Sequence, residues 1–381
     1  MKILFIGSRL FDDVAWYLKE NNITSIVTES NENAINLDLA DKHYIVERGM
    51  DKPMEVAIKE DVDAVIPLIG IDPPLIDVGL MKEKLEEEMG IPVVASSHST
   101  ASLAYDKYKT KKFLDQNGIK TPNYRKYTIG EDLLDELPLV LKSPAGQGGS
   151  GVKIALTKDD VDEFLLNNDE VFIEDYVEGF EASIEVLRWK NQSVALTPVY
   201  KGNTTLKGTH PLAKIKKAPL TIEDEDNTQH NNYLRSLAEE IADLVALDGT
   251  MDIDILHSTK SDEDLIIELN TRPSGTRYMT AAATDVYPLC QLVDMATGKW
   301  DARRVKSAIK DYHAYEIPVG TFEHGGDISR KYFDKEDSYI VHGPENYQRI
   351  TLRSKNMEVL NEMSNKLAGN YLNKNNIQLS L

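Results

Sequence analysis

The chain has 381 residues, of which 41% are hydrophobic and 28% are charged, and its formal charge is −20. This length allows two or three domains with substantial cores. The negative charge argues against nucleic acid and anionic membrane surfaces as partners, because both require basic patches. No apolar run approaches the roughly 18 residues that a membrane-spanning helix needs. The first strand is not preceded by a signal peptide, so we expect a cytoplasmic location.

The N-terminal third alternates apolar strands with helical segments. Strands are predicted at 2–7, 24–30, 63–69 and 92–96, and helices at 11–22 and 75–90. This alternation predicts a Rossmann-like parallel sheet with helices on both faces. The sequence after the first strand is G-S-R-L-F-D rather than G-x-G-x-x-G, so a dinucleotide fingerprint is missing.

Ligands of such sheets bind at the carboxyl ends of the strands. The candidates for substrate contact there are Ser8, Arg9, Glu29 and the loop at 70–75, which contains Asp72. The alternative is that these residues only shape and cap their loops. A domain boundary is predicted near residue 98, and one helix is predicted to follow it and to end at Gly118.

A glycine-rich loop follows a lysine at the end of an apolar strand in LPLVLKSPAGQGGSGVKIA. Such a loop can turn its N–H groups toward a polyphosphate, and Lys142 can add a positive charge. The candidate nucleotide-binding residues of the loop are Gly148, Gly149, Ser150 and Gly151. A Walker P-loop is not predicted, because G-K-[ST] is missing and the loop runs into a strand. The alternative is a flexible β-hairpin.

The segment VFIEDYVEGFEASIEVL contains an apolar strand followed by acidic residues. A strand that leaves a cleft with free backbone groups can bind the edge of adenine, which makes Glu174, Tyr176 and Val177 candidates. Glu181, seven residues after Glu174, can accept hydrogen bonds from ribose hydroxyls. Taken alone, each acid is more typical of a solvated surface charge.

Two apolar runs, GTMDIDIL and IIELNTRPSGTRYM, are predicted to form neighbouring antiparallel strands. Glu268 and Asn270 are two residues apart and therefore share a face, and Asp252 lies on the partner strand. Their oxygens suit Mg²⁺ that bridges nucleotide phosphates, and Arg272 follows on the same side if the strand continues that far. An isolated E-x-N would instead be typical of a hairpin with polar residues on its solvent face.

The residues after Arg272 are natural substrate contacts: Ser274, Gly275, Thr276 and Arg277. Arg277 can bind a substrate carboxylate through two hydrogen bonds, although a surface arginine is an equal alternative. Residues 301–381 predict three strands and a helix with apolar spacing of three and four. We expect a small α+β appendage there that closes the substrate pocket or forms dimer contacts.

Five segments in this order resemble the ATP-grasp superfamily. They are D-K at 106–107, the strand lysine with its glycine loop, E-D-Y-V…G-x-E, G-T-M-D and E-L-N-T-R. The resemblance extends over roughly residues 1–300 and implies a mixed α/β and α+β architecture. Its expected units are a Rossmann-like pre-ATP-grasp domain at 1–98, a two-lobed ATP-grasp domain at 99–300 and the appendage at 301–381. The ATP lid lobe is expected at about 120–180 and the metal-binding catalytic lobe at about 180–300.

The resemblance also implies residue roles. Lys107 and Lys142 are similar to the two lysines that hold the ATP phosphates, and the 146–151 loop is similar to the lid. The implied adenine hinge and ribose ligand are Glu174, Tyr176, Val177 and Glu181. The implied metal ligands are Asp252, Glu268 and Asn270. Arg272 is similar to the arginine that stabilises the acyl-phosphate and the tetrahedral intermediate.

Enzymes of this superfamily activate a carboxylate with ATP and let an amine displace the phosphate. The implied cofactors are ATP and Mg²⁺, or Mn²⁺ in its place, and the implied partners are a small carboxylate, an amine and a second copy of the chain. Phosphoryl transfer depends on positioning and charge neutralisation, so no Ser-His-Asp or Cys-His set is required, and none is found. Alternatives are phosphorylation of bicarbonate or carbamate and a sensor that binds ATP without chemistry.

Within the superfamily, the whole chain resembles the ligase of pyrrolysine biosynthesis, which joins a methylated ornithine to lysine. It also resembles the large subunit of carbamoyl-phosphate synthase reduced to one ATP-grasp unit. The short N-terminal sheet, the MDID strand and the YEIPVG segment carry this likeness.

Overall fold

The structure is a computed structural model that describes all residues except 147–150, 208–213, 223–226, 326, 376, 378, 380 and 381. The described part of the chain forms three β-sheets with strands β1 to β16, and these sheets are flanked by helices α1 to α11. None of the helices in these ranges is long and apolar enough to span a bilayer.

The N-terminal sheet has four parallel strands in the order β3-β2-β1-β4, which confirms the predicted Rossmann-like sheet. Its strands are β1 (Lys2–Ile6), β2 (Thr24–Glu29), β3 (Lys42–Ile45) and β4 (Ala64–Pro67). The helices of this region are α1 (Asp12–Glu20), α2 (Asp51–Lys59) and α3 (Leu75–Lys84). Helix α3 continues into a π turn that ends at Gly90, as predicted.

Two parts of this region differ from the prediction. Strand β3 and helix α2 were not predicted, because β3 lies at the sheet edge with mostly exposed side chains and so carries no apolar run. The predicted strand at 92–96 was wrong, since its pairing is limited to a single bridge between Val65 and Val93.

The two faces of strand β1 contribute to different cores. Ile3 and Phe5 pack in a cluster with Leu187 and Val293 from the second half of the chain, whereas Leu4 belongs to a cluster with α2 and α3 residues. Successive side chains of a strand point to opposite faces, which accounts for this division. The N-terminal sheet is therefore packed directly against the body of the molecule.

The single helix predicted after residue 98 is two helices, α4 (His98–Tyr105) and α5 (Lys107–Gln116). The break lies at Asp106, whose backbone is extended with ψ of 98° and whose side chain accepts a hydrogen bond from the N–H of Lys109. An aspartate that caps the next helix in this way ends the preceding one. The break places Lys107 in the first turn of α5.

The small sheet contains four antiparallel strands in the order β5-β8-β6-β7. Its strands are β5 (Tyr124–Lys126), β6 (Leu139–Lys142), β7 (Val152–Ala155) and β8 (Phe172–Asp175). Helix α6 (Lys158–Asn167) covers one face, where Leu139, Leu141 and Phe164 share a core. Strands β6 and β7 form the hairpin predicted around the glycine-rich loop.

The large sheet has eight strands in the order β13-β12-β9-β10-β11-β14-β16-β15. Its first five strands in the chain are β9 (Gly179–Trp189), β10 (Gln192–Asn203), β11 (Lys216–Ala218), β12 (Gly249–Ser258) and β13 (Glu263–Asn270). The next four helices are α7 (Thr228–Leu244), α8 (Arg277–Thr284), α9 (Pro288–Ala296) and α10 (Ala302–Ala308). Helix α7 shares a core with the strands through Leu234 and Ile241.

The C-terminal segment contains the three strands and the helix that were predicted. They are β14 (His313–Gly320), β15 (Ser338–His342), β16 (Gln348–Ser354) and α11 (Met357–Lys374). The strands do not form a separate sheet, because β14 pairs with β11 and thereby continues the large sheet. Helix α11 packs on this extension through Leu360 and Leu372.

Candidate functional site

Four oxygen-bearing side chains meet where strands β12 and β13 pair. Asp252 lies opposite Asn270 and Asp254 lies opposite Glu268 in the antiparallel register. Residues two apart on a strand share a face, so the four side chains project from one side of the hairpin. The register thus places Asp252, Glu268 and Asn270 on the same side of the hairpin. We call these four residues the acidic cluster.

Asp254 was not identified from the sequence. Its Oδ1 lies 2.5 Å from Nζ of Lys201 on strand β10, and its Oδ2 lies 3.4 Å from Nδ2 of Asn270. The signal was present in GTMDIDIL, where D-I-D places two acids on one face. Lys201 lies in a strand without a motif and could not be assigned before the strand order was known.

The acidic cluster adjoins a second buried acid, Glu185, which lies opposite Asp252 on strand β9. Burial raises the pKa of Asp252 to about 6, and the neighbouring Asp254 adds to this shift. Burial, followed by the charge of Asp252, raises the pKa of Glu185 to about 8. One carboxylate oxygen of each of these two residues is buried without a hydrogen-bond partner in the described part of the chain. A bound cation would compensate such oxygens, so the donor set suits a hard divalent metal.

Lys107 connects helix α5 to the acidic cluster. Its Nζ lies 2.7 Å from Oε1 of Glu268 and donates to the carbonyl of Gly146 at 2.7 Å. Its backbone N–H also donates to the carbonyl of Pro144 at 2.9 Å. One side chain therefore touches both the cluster and the start of the glycine-rich loop.

Lys142 and Lys111 flank the carboxylate of Glu174, which is 2% exposed. Their Nζ atoms lie 2.7 and 3.1 Å from its oxygens. Burial opposes ionisation, yet the two lysines hold the pKa of Glu174 below its usual range. Lys111 was not predicted, although it follows Lys107 by four residues and therefore lies on the same helix face.

The predicted adenine hinge follows strand β8. Tyr176 and Val177 are half-buried, and their backbone groups form no hydrogen bond with other backbone groups among the described residues. The side chain of Glu174 faces the lysines, which leaves only its backbone to contact a base. Glu181 pairs with Lys214 through an ion pair of 2.7 Å.

Only the two ends of the glycine-rich loop, Gly146 and Gly151, are described. Gly148, Gly149 and Ser150 lie outside the described residues. Gly151 has φ of 74°, a conformation that favours glycine, and its carbonyl accepts a hydrogen bond from the N–H of Ser143 at 2.8 Å. This bond closes the base of the β6–β7 hairpin.

Arg272 lies two residues beyond the end of strand β13 but still reaches the acidic cluster. Its Nη2 donates to Oδ1 of Asn270 at 3.2 Å, and its Nε donates to Oδ1 of Asp72 at 2.7 Å. The strand does not continue as far as Arg272, yet the arginine lies beside Asn270. Because Asp72 follows strand β4, this arginine also joins the N-terminal sheet to the site.

The residues after Arg272 form a bonded turn. The N–H of Ser274 donates to Glu185 at 3.4 Å, and the hydroxyls of Ser274 and Thr276 lie 2.7 Å apart. Nε of Arg277 donates to Oδ2 of Asp13 on helix α1 at 2.5 Å. This arginine is thus bound by a carboxylate of the protein itself.

A cleft with a volume of about 1360 Å³ lies between the N-terminal sheet and the large sheet. One wall is built from the carboxyl ends of strands β1 to β4, where ligands of such sheets bind. Six predicted substrate-contact or catalytic residues line it: Arg9, Glu29, Arg272, Ser274, Gly275 and Arg277. Three others do not belong to the described lining: Ser8, Asp72 and Thr276.

Some lining residues were not identified from the sequence. They are Arg48 on the N-terminal wall and Lys331, His342 and Arg349 on the opposite wall. These residues belong to segments without a motif, and only the folding of the C-terminal strands beside α8 brings three of them to the cleft. Ser8 is buried, and its hydroxyl donates to Glu29 at 3.1 Å, which explains why it does not face the cleft.

A further cluster lies at the other end of the β12–β13 hairpin. Nε2 of His230 and Nδ1 of His257 lie 2.8 and 3.0 Å from the two carboxylate oxygens of Asp264. Three potential metal ligands therefore meet there. Each histidine lies within hydrogen-bonding distance of the carboxylate, and the cluster ties helix α7 to the hairpin.

The fold and the site together define a class of protein. A family model described as an ATP-grasp domain matches residues 104–276. The N5-carboxyaminoimidazole ribonucleotide synthetase from Thermotoga maritima superposes with a TM-score of 0.72 at 18% identity, covering 96% of this chain and 97% of that one. The chain belongs to the ATP-grasp family of ADP-forming ligases, which use ATP and Mg²⁺ to join small carboxylate and amine substrates.

Two relatives refine this placement. The protein named carbamoyl-phosphate synthase in Methanobrevibacter smithii is 48% identical over 365 residues, and the match covers 94% of this chain and 98% of the relative. D-alanine–D-alanine ligase A of Bacillus cereus is 27% identical over 281 residues, covering 69% of this chain and 87% of the ligase.

Proposed function

We propose that this chain activates the carboxylate of an amino-acid-sized substrate as an acyl-phosphate and joins it to an amine. Arg272 carries the proposal, because its guanidinium contacts Asn270 of the acidic cluster and also lines the 1360 Å³ cleft. A phosphoryl group held at the cluster would therefore lie beside a carboxylate bound in the cleft. Such proximity is the main requirement of phosphoryl transfer.

The nucleotide is proposed to lie between the small sheet and the large sheet. Lys107 and Lys142 would hold its phosphates, and they contact the carboxylates of Glu268 and Glu174. The backbone of Tyr176 and Val177 would bind the adenine edge. The ribose is assigned to Glu181, and the loop of Gly148, Gly149, Ser150 and Gly151 is assigned to covering the phosphates.

The metal is assigned to the acidic cluster. Asp254, Glu268 and Asn270 supply oxygens from facing strands, and Asp252 adds a buried charge beside them. Oxygen ligands of this kind suit Mg²⁺ and equally Mn²⁺. A bound divalent ion would neutralise the phosphates during transfer.

Arg272 is the proposed catalytic residue. A carboxylate oxygen of the substrate attacks the γ-phosphorus and ADP leaves, while the guanidinium neutralises charge on the transferred group. The amine then attacks the carbonyl carbon, the new C–N bond forms, and the C–O bond to phosphate breaks. Inorganic phosphate and one proton are released, and closure of the cleft keeps water from the acyl-phosphate.

Bicarbonate is the competing substrate, because the relative with 48% identity is named carbamoyl-phosphate synthase. The size of the cleft favours an amino-acid-sized carboxylic acid over bicarbonate. Pockets of about 300–1,000 Å³ hold drug-sized ligands, so 1360 Å³ far exceeds the volume that bicarbonate needs. A sensor that binds ATP without chemistry is disfavoured, because such a protein does not need both the metal ligands and Arg272 beside them.

The test is ADP release from Mg-ATP with pooled amino acids in one well and bicarbonate alone in another. We expect release with at least one pool and release about 100-fold slower or more in the Arg272→Ala variant. Splitting the active pool names the substrates. Release with bicarbonate alone would favour carbamoyl-phosphate chemistry instead. Tight ATP binding with turnover unaffected by Arg272→Ala would contradict the proposal.

The division of the chain into domains is consistent with the proposed substrate and nucleotide sites. We propose that residues 1–98 and 99–300 form the substrate-side and nucleotide-side units, and that 301–381 completes the cleft wall through Lys331 and Arg349. A homodimer in the cytoplasm is the proposed state, where ATP is abundant and the buried thiol of Cys290 stays reduced. Light scattering of the purified protein tests the dimer, with twice 42.8 kDa as the expected mass.

A further inference from the structure

The cleft is locally cationic in a chain of net charge −20. Its lining contains six cationic side chains, namely Arg9, Arg48, Arg272, Arg277, Lys331 and Arg349. It contains four acids, namely Asp12, Glu29, Glu47 and Asp77. The excess is the opposite of what the composition predicts, so it belongs to the cleft and not to the surface in general. Concentrated positive charge of this kind attracts anionic ligands.

Three of the six cations pair closely with a carboxylate of the protein itself. Arg272 pairs with Asp72 at 2.7 Å, Arg277 pairs with Asp13 at 2.5 Å, and Arg349 pairs with Glu316 at 3.2 Å. Lys331 is 3.5 Å from Asp12, a longer contact. Arg9 and Arg48 have no ion pair in the described part of the chain.

Arg349 differs from the other paired arginines because its carboxylate partner is shared with a second cation. Its Nη1 lies 3.2 Å from Oε1 of Glu316, its Nε is buried without an acceptor, and its Nη2 has no acceptor in the described part of the chain. Glu316 is fully buried and also pairs with Lys216, and its Oε2 lies 3.3 Å from Nε2 of His342. The guanidinium is thus fixed in position, and Nη2 is the donor that remains available.

The acids of the cleft do not offer Arg349 a partner. Glu29 accepts hydrogen bonds from Ser8 and from the N–H groups of Ser30 and Asn31, so its carboxylate is saturated by its own loop. Asp12 lies beside Lys331. Because Lys216 and Arg349 share the single carboxylate of Glu316, one positive charge at the Arg349 end of the cleft is left for a ligand.

We propose that the acid bound in this cleft carries a second anionic group, a carboxylate or a phosphate monoester, and that Arg349 binds this group. The inference rests on the proposed function of the cleft as the substrate site. The group to be activated lies at Arg272, and the second group lies at Arg349 with Lys331 on the same wall. A guanidinium that is held by one carboxylate and has a terminal nitrogen without an acceptor can bind an oxyanion through a charge-assisted hydrogen bond.

The inference is tested by binding, without turnover. The full chain is saturated with Mg-ADP and titrated by calorimetry with citrate as the polycarboxylate probe, glycerol 2-phosphate as the phosphate probe and glycerol as the neutral control. We expect one of the two anions to bind with a dissociation constant below about 10 mM, and glycerol not to bind. Binding of citrate alone would identify a carboxylate, and binding of glycerol 2-phosphate alone a phosphate ester.

Substitutions of Arg349 test whether this arginine binds the anion. Arg349→Gln is expected to weaken binding of that anion about tenfold or more, with the affinity for Mg-ADP unchanged. Arg349→Lys, which keeps the charge but loses the planar donors, is expected to give an intermediate loss and serves if Arg349→Gln does not fold. The matched control is Arg303→Gln, an exposed arginine on helix α10 outside the cleft lining.

Two results would overturn the inference: no anion binding to the unaltered chain, or unchanged binding in both Arg349 variants. Because the titration needs no turnover, it fails or succeeds independently of the ADP-release test.

Discussion

Arg272 connects the two halves of the site through one side chain. It donates to Asn270 of the acidic cluster and to Asp72 of the N-terminal region, and it lines the cleft. Most of its side chain is out of solvent, at 18% exposure, so its charge acts in a medium of lower dielectric than water. A fixed charge in such a setting stabilises developing negative charge more than a mobile surface arginine does.

We predict that Arg272→Ala lowers the kcat of ADP release by about 100-fold or more, because a preorganised charge at the transferred group is lost. The KM for ATP is expected to change less than about threefold. Steady-state ADP release measures both constants. Arg303→Ala removes the same charge from an exposed helix and should change neither, and a variant of Arg272 with normal kcat would refute its catalytic role.

The acidic cluster allows a comparison of two aspartates on one strand. Asp254 contacts Asn270 and lies opposite Glu268, whereas Asp252 is more deeply buried, with one unpartnered oxygen. We predict that Asp254→Asn raises the Mg²⁺ concentration for half-maximal ADP release by about tenfold or more, since a charged ligand becomes neutral.

The Mg²⁺ titration has a control in the same hairpin. Asp262 is exposed at the hairpin turn, and Asp262→Asn should leave the Mg²⁺ dependence unchanged. Asp252→Asn is measured alongside. If only the Asp252 variant shifts the titration, the metal is bound by Asp252 and the assignment of Asp254 is wrong.

At the scale of elements, Glu174 ties three segments into one unit. Its carboxylate on strand β8 pairs with Lys142 on β6 and Lys111 on α5. All three side chains are at least nine-tenths buried, so removing one charge leaves the others uncompensated. Breaking such a buried pair costs far more than breaking a surface ion pair.

We therefore predict that Glu174→Gln lowers the free energy of unfolding by about 3–5 kcal/mol at pH 7. The pKa of Glu174 is lowered in the folded chain, so the carboxylate stabilises the protein above its ordinary value of 4.5, and this contribution is lost as the pH falls through the lower folded value. The difference between variant and unaltered chain should thus shrink only below pH 4.5. Urea denaturation at several pH values measures it.

Glu178→Gln provides the matched control for this experiment, because Glu178 is exposed and lies four residues further along. It should leave the urea midpoint unchanged. An equal effect of the two substitutions would show that the buried triad does not stabilise the fold.

At the scale of the whole molecule, the N-terminal sheet and the large sheet share one hydrophobic core. Ile3 and Phe5 of strand β1 pack in the same cluster as Leu187, Trp189 and Val293. Polar contacts add to it, including Tyr17 with Asp294 at 2.7 Å. Units joined by a common core are expected to unfold together.

We predict a single cooperative thermal transition for the region that contains this core. Near-ultraviolet circular dichroism reports on the buried Trp189 at the junction, and far-ultraviolet circular dichroism reports on the backbone. The two signals should give the same midpoint. Separate midpoints would mean that the N-terminal sheet folds independently of the rest.

Local patterns were enough to predict much of the fold. Periodic or continuous apolar residues predicted five strands and one helix, namely β1, β2, β4, β12, β13 and α11. This pattern is visible in the sequence because each element buries one face or both. Edge strand β3 was not predictable, since exposed side chains carry no such period. The helix break at Asp106 was not predicted either, because it depends on one capping side chain. An apolar pattern averaged over many residues does not detect a single cap.

The sequence by itself determined the family through five segments in order. It also placed Glu268 and Asn270 on one face with Arg272 two residues further on, because these positions depend only on spacing along one short segment. Only the tertiary structure decided which residues complete the site. Lys111, Lys201 and Arg349 take their positions from strand order and helix packing, and they come from segments far apart in the chain. The physical reason is that the charge and shape of a cleft depend on all side chains that are close in space. Spacing along the chain does not predict which distant segments come close together.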